Sequence, residues 1–344
     1  MRAAVISTPG TPVSANVQFV DDIPVPQPGT GEVLVRTQAS ALNQLDLWIA
    51  CGQPTLDTTW PWVGGCDGCG VVEAVGPGVD ESWTGRRVVL NAAVPLPQAS
   101  GPDVTPTPAR LSMIGEHVAG TNAEYFLAPA TNVLDVGDAD PVKAAAFALS
   151  HLTAWRMLVT RARLKAGDHV LITGIGGGTA LALLGICRHF GCRTIVTSRH
   201  QWKLDKAIEL GADHAVLDRG EDFSREVRGF TGKRGVDVCA DSVGKAIHLP
   251  CVKSLARGGT LVTCGATTGP DPVTDLARLF WNQLTFAGST MGDMGEFREV
   301  LSLFLSGSLQ PVIDTVCDAP DAAAGYERLE SGEQFGKVAI RWSL

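Results

Sequence analysis

The chain has 344 residues, too many for one ordinary hydrophobic core, so two domains are the starting expectation. Hydrophobic residues make up 45% and charged residues 19%, which excludes a disordered chain. A net charge of −8 speaks against nucleic acid or an anionic membrane as partner, because either needs a clustered basic face.

The opening MRAAVISTPG lacks the apolar segment of a signal peptide. No apolar run approaches the ~18 residues of a spanning helix, and TALALLGIC (179–187) is among the longer ones. A cytoplasmic protein with no membrane partner is the expectation. EVLVRTQAS (32–40), GVVEAVG (70–76) and RRVVLNAAV (86–94) are β-branched runs bounded by Gly and Pro, spaced as in a small barrel. PLPQASGPDVTPTPAR (95–110) has no periodicity and reads as an exposed loop. Nine cysteines read as mostly reduced thiols. Only Cys66 and Cys69 form a CxxC, which leaves open a redox role, half of a metal site, or a need for small residues.

From about residue 138 strands alternate with helical segments, the pattern of a parallel, doubly wound sheet. Asp140 caps a helix that Pro141 opens. HVLITG (169–174), TIVTS (194–198), AVLD (215–218), VDVCADSVG (236–244), TLVTCGATTG (260–269) and LTFAGSTMG (284–292) supply the strands, and KLDKAIELG (203–211) is a helix ended by Gly211. A helix at GEFREVLSLFLSGSL, a strand and a further helix follow. The terminal KVAIRW (337–342) alternates and returns to pair with the first domain. The expected division is a barrel domain at 1–137, a nucleotide-binding domain at 138–290 and a C-terminal return at 291–344.

GIGGGTA (174–180) lies between a strand and a helix. Glycines there let the backbone approach a pyrophosphate, and the helix amides and dipole hold the anion. Gly174 and Gly176 fit the dinucleotide fingerprint, Gly177 and Gly178 widen the loop, and Thr179 stands at the third glycine with Ala180 as the small closing residue. The second strand ends in Thr197, Ser198 and Arg199, with Lys203 one turn later. A carboxylate there would repel a 2′-phosphate, whereas a hydroxyl followed by Arg accepts it, so NADPH is the expected cofactor.

ALNQLDLW (41–48), GGCDGCGVVEAVGPGV (64–79), NAEYFLAP (122–129), HLTAWRML (151–158), the glycine loop, RGVDVCADSVG (234–244), RGGTLVTCGATTG (257–269) and FGKVAI (335–340) together resemble the medium-chain dehydrogenase/reductase superfamily over essentially the whole chain. The resemblance implies an α/β protein, a GroES-like β-barrel domain plus a Rossmann domain, with the active site in the cleft between them. Its nearest wording is that of zinc-type alcohol dehydrogenases and zinc-free quinone reductases. The zinc ligands of the former match Asn43, Cys66 and Leu149 here, with Asp67 at a nearby Glu position, and only Cys66 readily ligates. The loop matching the structural zinc, 91–110, has no cysteine. No metal is expected. The alternative is a rebuilt site of Cys66, Asp67, Cys69 and His151, although His151 reads better as a packed helix residue.

Without a metal, an activated alkene or quinone is an easier hydride acceptor than a plain ketone, because hydrogen bonds can stabilise the developing enolate. The resemblance therefore implies NADPH-dependent reduction of an enone, enoyl thioester or quinone. Asn43 is placed as a donor to substrate or cofactor or as the fixer of a turn, Asp46 as an orienter of backbone, Trp48 as a cleft wall, and Cys66 and Asp67 at the vacated metal position. Thr153, Ser242, Cys264, Gly265, Ala266, Ser289 and Thr290 fall beside the cofactor, and Lys337 reaches it or starts a strand. Two rival readings stand: an alcohol dehydrogenase or carbonyl reductase with a rearranged or absent metal site, and a non-enzymatic NADPH-binding protein. A homodimer through the sheet edge near LTFAGSTMG is expected.

Overall fold

A computed structural model describes residues 1–52, 59–97 and 110–342, and the chain divides into two units. The first holds Met1–Leu149, Asp293–Leu301 and Ile313–Leu344; the second holds Ser150–Gly292 and Ser302–Val312. The dividing points differ from those expected. Residues 138–149 belong with the barrel, the division falling inside the helix Pro141–Trp155, and 302–312 belongs with the nucleotide-binding unit.

In the first unit the strand Glu32–Ala41 pairs antiparallel with Asp67–Val75, Tyr125–Pro129 and Lys337–Arg341, and the sheet continues through Arg87–Leu90 and Val133–Asp135 on one side and Ile313–Asp318 on the other. The C-terminal strand thus returns to the first domain, as its alternating pattern implies. Val338 and Ile340 face a core containing Leu42, Leu47, Tyr326 and Trp342, so the period of two turns Lys337 and Ala339 to the opposite face. The run at 86–94 is not one strand. It splits into Arg87–Leu90 and Ala93–Pro95 because buried Asn91 accepts from Ala93 N through its own side chain, while Asn132 Nδ2 bonds to the Asn91 and Ala93 carbonyls. Of the loop expected at 95–110, residues 98–109 lie outside the described residues. Its two ends are tied, Leu96 N donating to Arg110 O at 2.8 Å.

The second unit is a six-stranded parallel sheet in the order His214–Leu217, Arg193–Ser198, His169–Ile172, Val236–Asp241, Leu255–Thr263 and Thr285–Gly288. This order reverses direction beside the first strand, which opens a crevice at the carboxyl ends of the first and fourth strands. Leu171, Ile195, Val216, Cys239 and Leu261 pack under helix residues Val227, Cys251 and Val252. A fully buried Leu such as Leu171 contributes about 1.5–3 kcal/mol. Among the described residues no helix is long and apolar enough to cross a membrane.

Candidate active site

The first unit gathers Asn43, Asp46, Cys66, Asp67 and Lys337. Asn43 ends the central strand and precedes the helix Gln44–Ala50, where Asp46 at the third helical position accepts from Asn43 N at 2.7 Å. This is a capping box, which satisfies donors that a helix start leaves open. The other Asp46 oxygen accepts from Gly65 N at 2.9 Å. Gly65 has φ +100°, and a Cβ there would lie 2.6 Å from Thr121 Oγ1, so only glycine makes this turn. Burial pushes the Asp46 carboxyl up to about 6 against the two backbone donors and the Lys337 ammonium, which pull it down. Asp46 thus holds the backbone amides of Asn43 and Gly65. Trp48 lies about 200° further round the same helix from Asp46, half-buried and away from this contact.

Asp67 opens its strand directly opposite Ala41, which in turn faces Ala339. Two alanines side by side leave room for the Lys337 side chain. The ammonium donates to Asp67 Oδ2 at 2.8 Å and to Asn43 Oδ1 at 2.6 Å. Asn43 Nδ2 also donates to Asp67 Oδ2 at 3.0 Å, and Leu149 N donates to Asp67 Oδ1 at 2.8 Å. Lys337 starts its strand and Asn43 fixes the helix start, in each case one of the two expected readings. Lys337 makes its contacts with the catalytic candidates, because strand alternation turns it to their face. Asn43 is not free to donate to a substrate, since Asp67 and the Ala41 carbonyl (3.3 Å) take both of its amide protons.

These side chains do not fit a zinc ion. The Asp67 carboxylate is wholly buried and filled by three donors, one of them a cation. Burial pushes the Cys66 thiol well above its ordinary range and that of Cys69 up to about 12, so neither offers a ready thiolate as redox nucleophile. His151 contacts Ser150, its Nδ1 lying 3.2 Å from the hydroxyl. Among the described residues no three His, Cys, Asp or Glu side chains gather to hold a metal. A network missed in the sequence backs the cluster. Trp342 Nε1 donates to Ser40, Ser40 to Asn122, and Asn122 to the Tyr326 hydroxyl, all at 2.8–3.0 Å. These residues lie up to 302 positions apart, and no local pattern links them.

The second unit holds the nucleotide corner. Gly174 and Gly176 have φ +61° and +125°, and a Cβ at Gly176 would lie 2.7 Å from Lys203 Cδ. Lys203 is buried, with its side chain against the loop and its ammonium 5.3 Å from the Trp202 ring centroid. The helix Gly178–His189 starts after Gly177 with no side-chain cap and no acidic residue in its first turn, so the amides of Gly178 and Thr179 keep the positive end of the dipole. Ser198 is buried and accepts from His200 N at 3.2 Å, while Arg199 beside it is exposed.

Asp241, absent from the expected set, ties this corner together. It accepts from Thr173 Oγ1 at 2.6 Å and from the amides of Val243 and Gly244, and so fixes the turn that carries Ser242. A carboxylate closing an apolar strand just before SVG is the signal that points to it. Thr267 donates to Ser242 O, and Cys264 N donates to Asp241 O, so the 264–266 segment is held beside it. Gly265 and Ala266 line a cavity of about 210 Å³ with His248, Thr263 and Phe286. Thr153 is buried against Met291 (Oγ1 to Sδ 3.8 Å), next to Ser289 and Thr290. The Ser289 hydroxyl is buried without a hydrogen-bond partner. A glycine cradle, an uncapped helix start and an unsatisfied hydroxyl fit a nicotinamide dinucleotide.

The family model for the alcohol dehydrogenase GroES-like domain matches residues 29–138, and that for zinc-binding dehydrogenase matches residues 178–306. The chain is 30% identical to a zinc-type alcohol dehydrogenase-like protein of Leptosphaeria maculans over 92% of each chain, and 28% identical to the quinone oxidoreductase of Lama guanicoe over 99% of this chain and 97% of that one. Among solved structures, an NAD-dependent alcohol dehydrogenase superposes with a TM-score of 0.90 at 36% identity over all of both chains. A mycobacterial protein complexed with NADPH superposes with a TM-score of 0.82 at 29% identity, over 99% of this chain and all of that one.

Proposed function

The chain belongs to the medium-chain dehydrogenase/reductase superfamily, and from that premise we propose that it is an NADPH-dependent reductase delivering hydride to an activated double bond or a quinone without a catalytic zinc. The chain is an enzyme, an oxidoreductase that uses a nicotinamide cofactor. The observation that carries the finer reading is the Asp67 carboxylate, filled by Asn43, Leu149 and Lys337 where relatives hold a metal. A site already occupied by its own ammonium lacks the open coordination that catalytic zinc needs.

The 174–178 loop and the amides at the start of Gly178–His189 bind the pyrophosphate. Ser198, Arg199 and Lys203 bind the 2′-phosphate, with no carboxylate among them to repel it. Thr153, Ser242, Cys264, Gly265, Ala266, Ser289 and Thr290 orient the nicotinamide. The bound cofactor supplies hydride, and the acceptor is a carbon conjugated to a carbonyl. A homodimer forms along the exposed edge strand Thr285–Gly288, beside the exposed Val273, Leu276, Phe280 and Trp281. Nine free cysteines fit a reducing compartment, the cytoplasm.

Elemental analysis paired with NADPH and NADH titrations by fluorescence tests this reading, followed by a screen of enones, enoyl thioesters and quinones. No zinc, NADPH at least about tenfold tighter than NADH, and a weakening of about tenfold for NADPH alone in Arg199→Ala are expected; tenfold is 1.4 kcal/mol, one charged hydrogen bond. The 36% identity to an NAD-dependent alcohol dehydrogenase favours a second reading, alcohol oxidation with NAD. Stoichiometric zinc with turnover of alcohols would establish it in place of the first.

A further inference from the structure

We propose that Cys187 and Cys192 form a redox modification site, a dithiol that a hydroperoxide converts to a disulfide, with Cys192 reacting first and Cys187 closing the bond. The pair lies wholly in the second unit, at the opposite end of the helix Gly178–His189 from the glycine loop. Cys192 N donates to Cys187 O at 2.9 Å and Gly191 N donates to Arg188 O at 3.0 Å, with Gly191 at φ +68°. Those two bonds are the paired helix ending that turns the chain back and lays the residue after the glycine against the residue five before it. That contact is commonly apolar. Here both members are thiols, and they hydrogen-bond to each other. Cys192 Sγ also donates to Lys165 O at 3.4 Å. Cys187 is fully buried and Cys192 is 7% exposed, so an oxidant meets Cys192 first. A second pair of hydrogen-bonded thiols, Cys239 and Cys251, is wholly buried in the core between sheet and helix, out of an oxidant's reach.

The hydrogen bond from Cys187 holds the Cys192 thiol below its ordinary value, against burial and the Asp168 carboxylate. In the first step the Cys192 thiolate attacks the hydroperoxide, the O–O bond breaks, and the leaving oxygen takes a proton, which leaves a sulfenic acid. In the second the Cys187 sulfur attacks Cys192 Sγ, the S–O bond breaks, and the hydroxide leaves as water with the Cys187 proton. Two thiols are oxidised to one disulfide, and one hydroperoxide is reduced to an alcohol and water. What the pair supplies is the second step. A sulfur already in contact reacts ahead of a second peroxide from solution, so Cys192 stops at a form that thiols can reduce. A sulfinate would instead fix a charge where the helix end packs. Lys165 is exposed, so water replaces the donor that its carbonyl loses.

The test treats the whole reduced protein with excess hydrogen peroxide until the exposed Cys51 is fully oxidised, alkylates the remaining thiols under denaturing conditions, and maps tryptic peptides. Trypsin cuts after Arg188, so the disulfide is read as peptides 166–188 and 189–193 held together. The wild type is expected to give this linked pair, to release it with dithiothreitol, and to keep Cys239 and Cys251 alkylated. In Cys187→Ala, Cys192 is expected to run on to the sulfinic acid, which dithiothreitol does not reverse, with at least about tenfold more of it than in the wild type. A wild type whose Cys192 reaches the sulfinic acid as readily as the variant's overturns the proposal. So does a wild type in which Cys187 and Cys192 both remain thiols once Cys51 is oxidised. If Cys187→Ala does not fold, the wild-type peptide map decides by itself: the linked pair supports the site, and sulfinic acid or free thiols at Cys192 overturn it.

Discussion

The polar cluster around Asp67 and the glycine corner around Gly176 are built on opposite plans. In the first unit side chains do the work. Asp67 collects Asn43, Leu149 and Lys337, and Asp46 collects Asn43 and Gly65, so almost every donor already has its acceptor. In the second unit backbone does the work, with no side chain capping the helix after Gly177 and the Ser289 hydroxyl left unmet. A closed network is preorganised at the expense of any ligand that needs those same atoms, whereas an open one has kept its donors for an anion. The difference teaches where damage should appear: as lost stability in the first unit and as lost cofactor affinity in the second.

The largest expected effect breaks the closed network. Asp67→Ala leaves a buried ammonium, the Leu149 amide and the Asn43 side chain without their acceptor, and a buried pair broken from one side costs about 3–5 kcal/mol. Urea denaturation at neutral pH measures it; a loss under about 1 kcal/mol would mean that water reaches and solvates Lys337.

The next effect is pH-dependent and belongs to Asp46. Burial raises this carboxyl from 3.8 to about 6, so between those values the folded protein holds a proton that the unfolded chain has released. The sign follows: its contribution is fully present below about pH 4, declines as pH rises, and is gone above about pH 6, a swing of about 3 kcal/mol. Denaturation of wild type and Asp46→Asn at pH 4, 5, 6 and 7 isolates it. The wild type should lose stability relative to the variant over that interval, with no further change above it. A flat difference would show that Asp46 titrates as an ordinary surface carboxyl.

The smallest stability effect lies in the open corner. Gly176→Ala forces a side chain into φ +125° and against Lys203, a strain of about 1–3 kcal/mol. Its larger consequence is for the ligand, with NADPH affinity by fluorescence titration falling at least about tenfold as the loop shifts off the pyrophosphate. Unchanged affinity would remove this loop from the cofactor site and collapse the contrast between the two regions.

Much of this architecture was legible from local pattern. The parallel strands of the second unit announce themselves as apolar runs, the glycine loop falls between a strand and a helix, and Asp140 and Pro141 mark a helix start that the structure keeps, with Asp140 accepting from Lys143 N at 3.0 Å. The return of KVAIRW to the first sheet was legible in its alternation. The split at Asn91 was not, because the break depends on Asn132, which arrives from 41 residues away.

What the sequence determined by itself was therefore what neighbours along the chain decide: strand and helix periods, the caps and the cradle of glycines. What tertiary structure alone decided was the meeting of Lys337 with Asp67. Lys337 stands 270 residues from Asp67, and only the pairing of Lys337–Arg341 with Glu32–Ala41, and of that strand with Asp67–Val75, brings ammonium and carboxylate to 2.8 Å. Periodicity tells which face of a strand a residue takes. Which strand lies alongside is set by the burial of Val338 and Ile340 in a core assembled from both ends of the chain, and the charge on the other face follows them in.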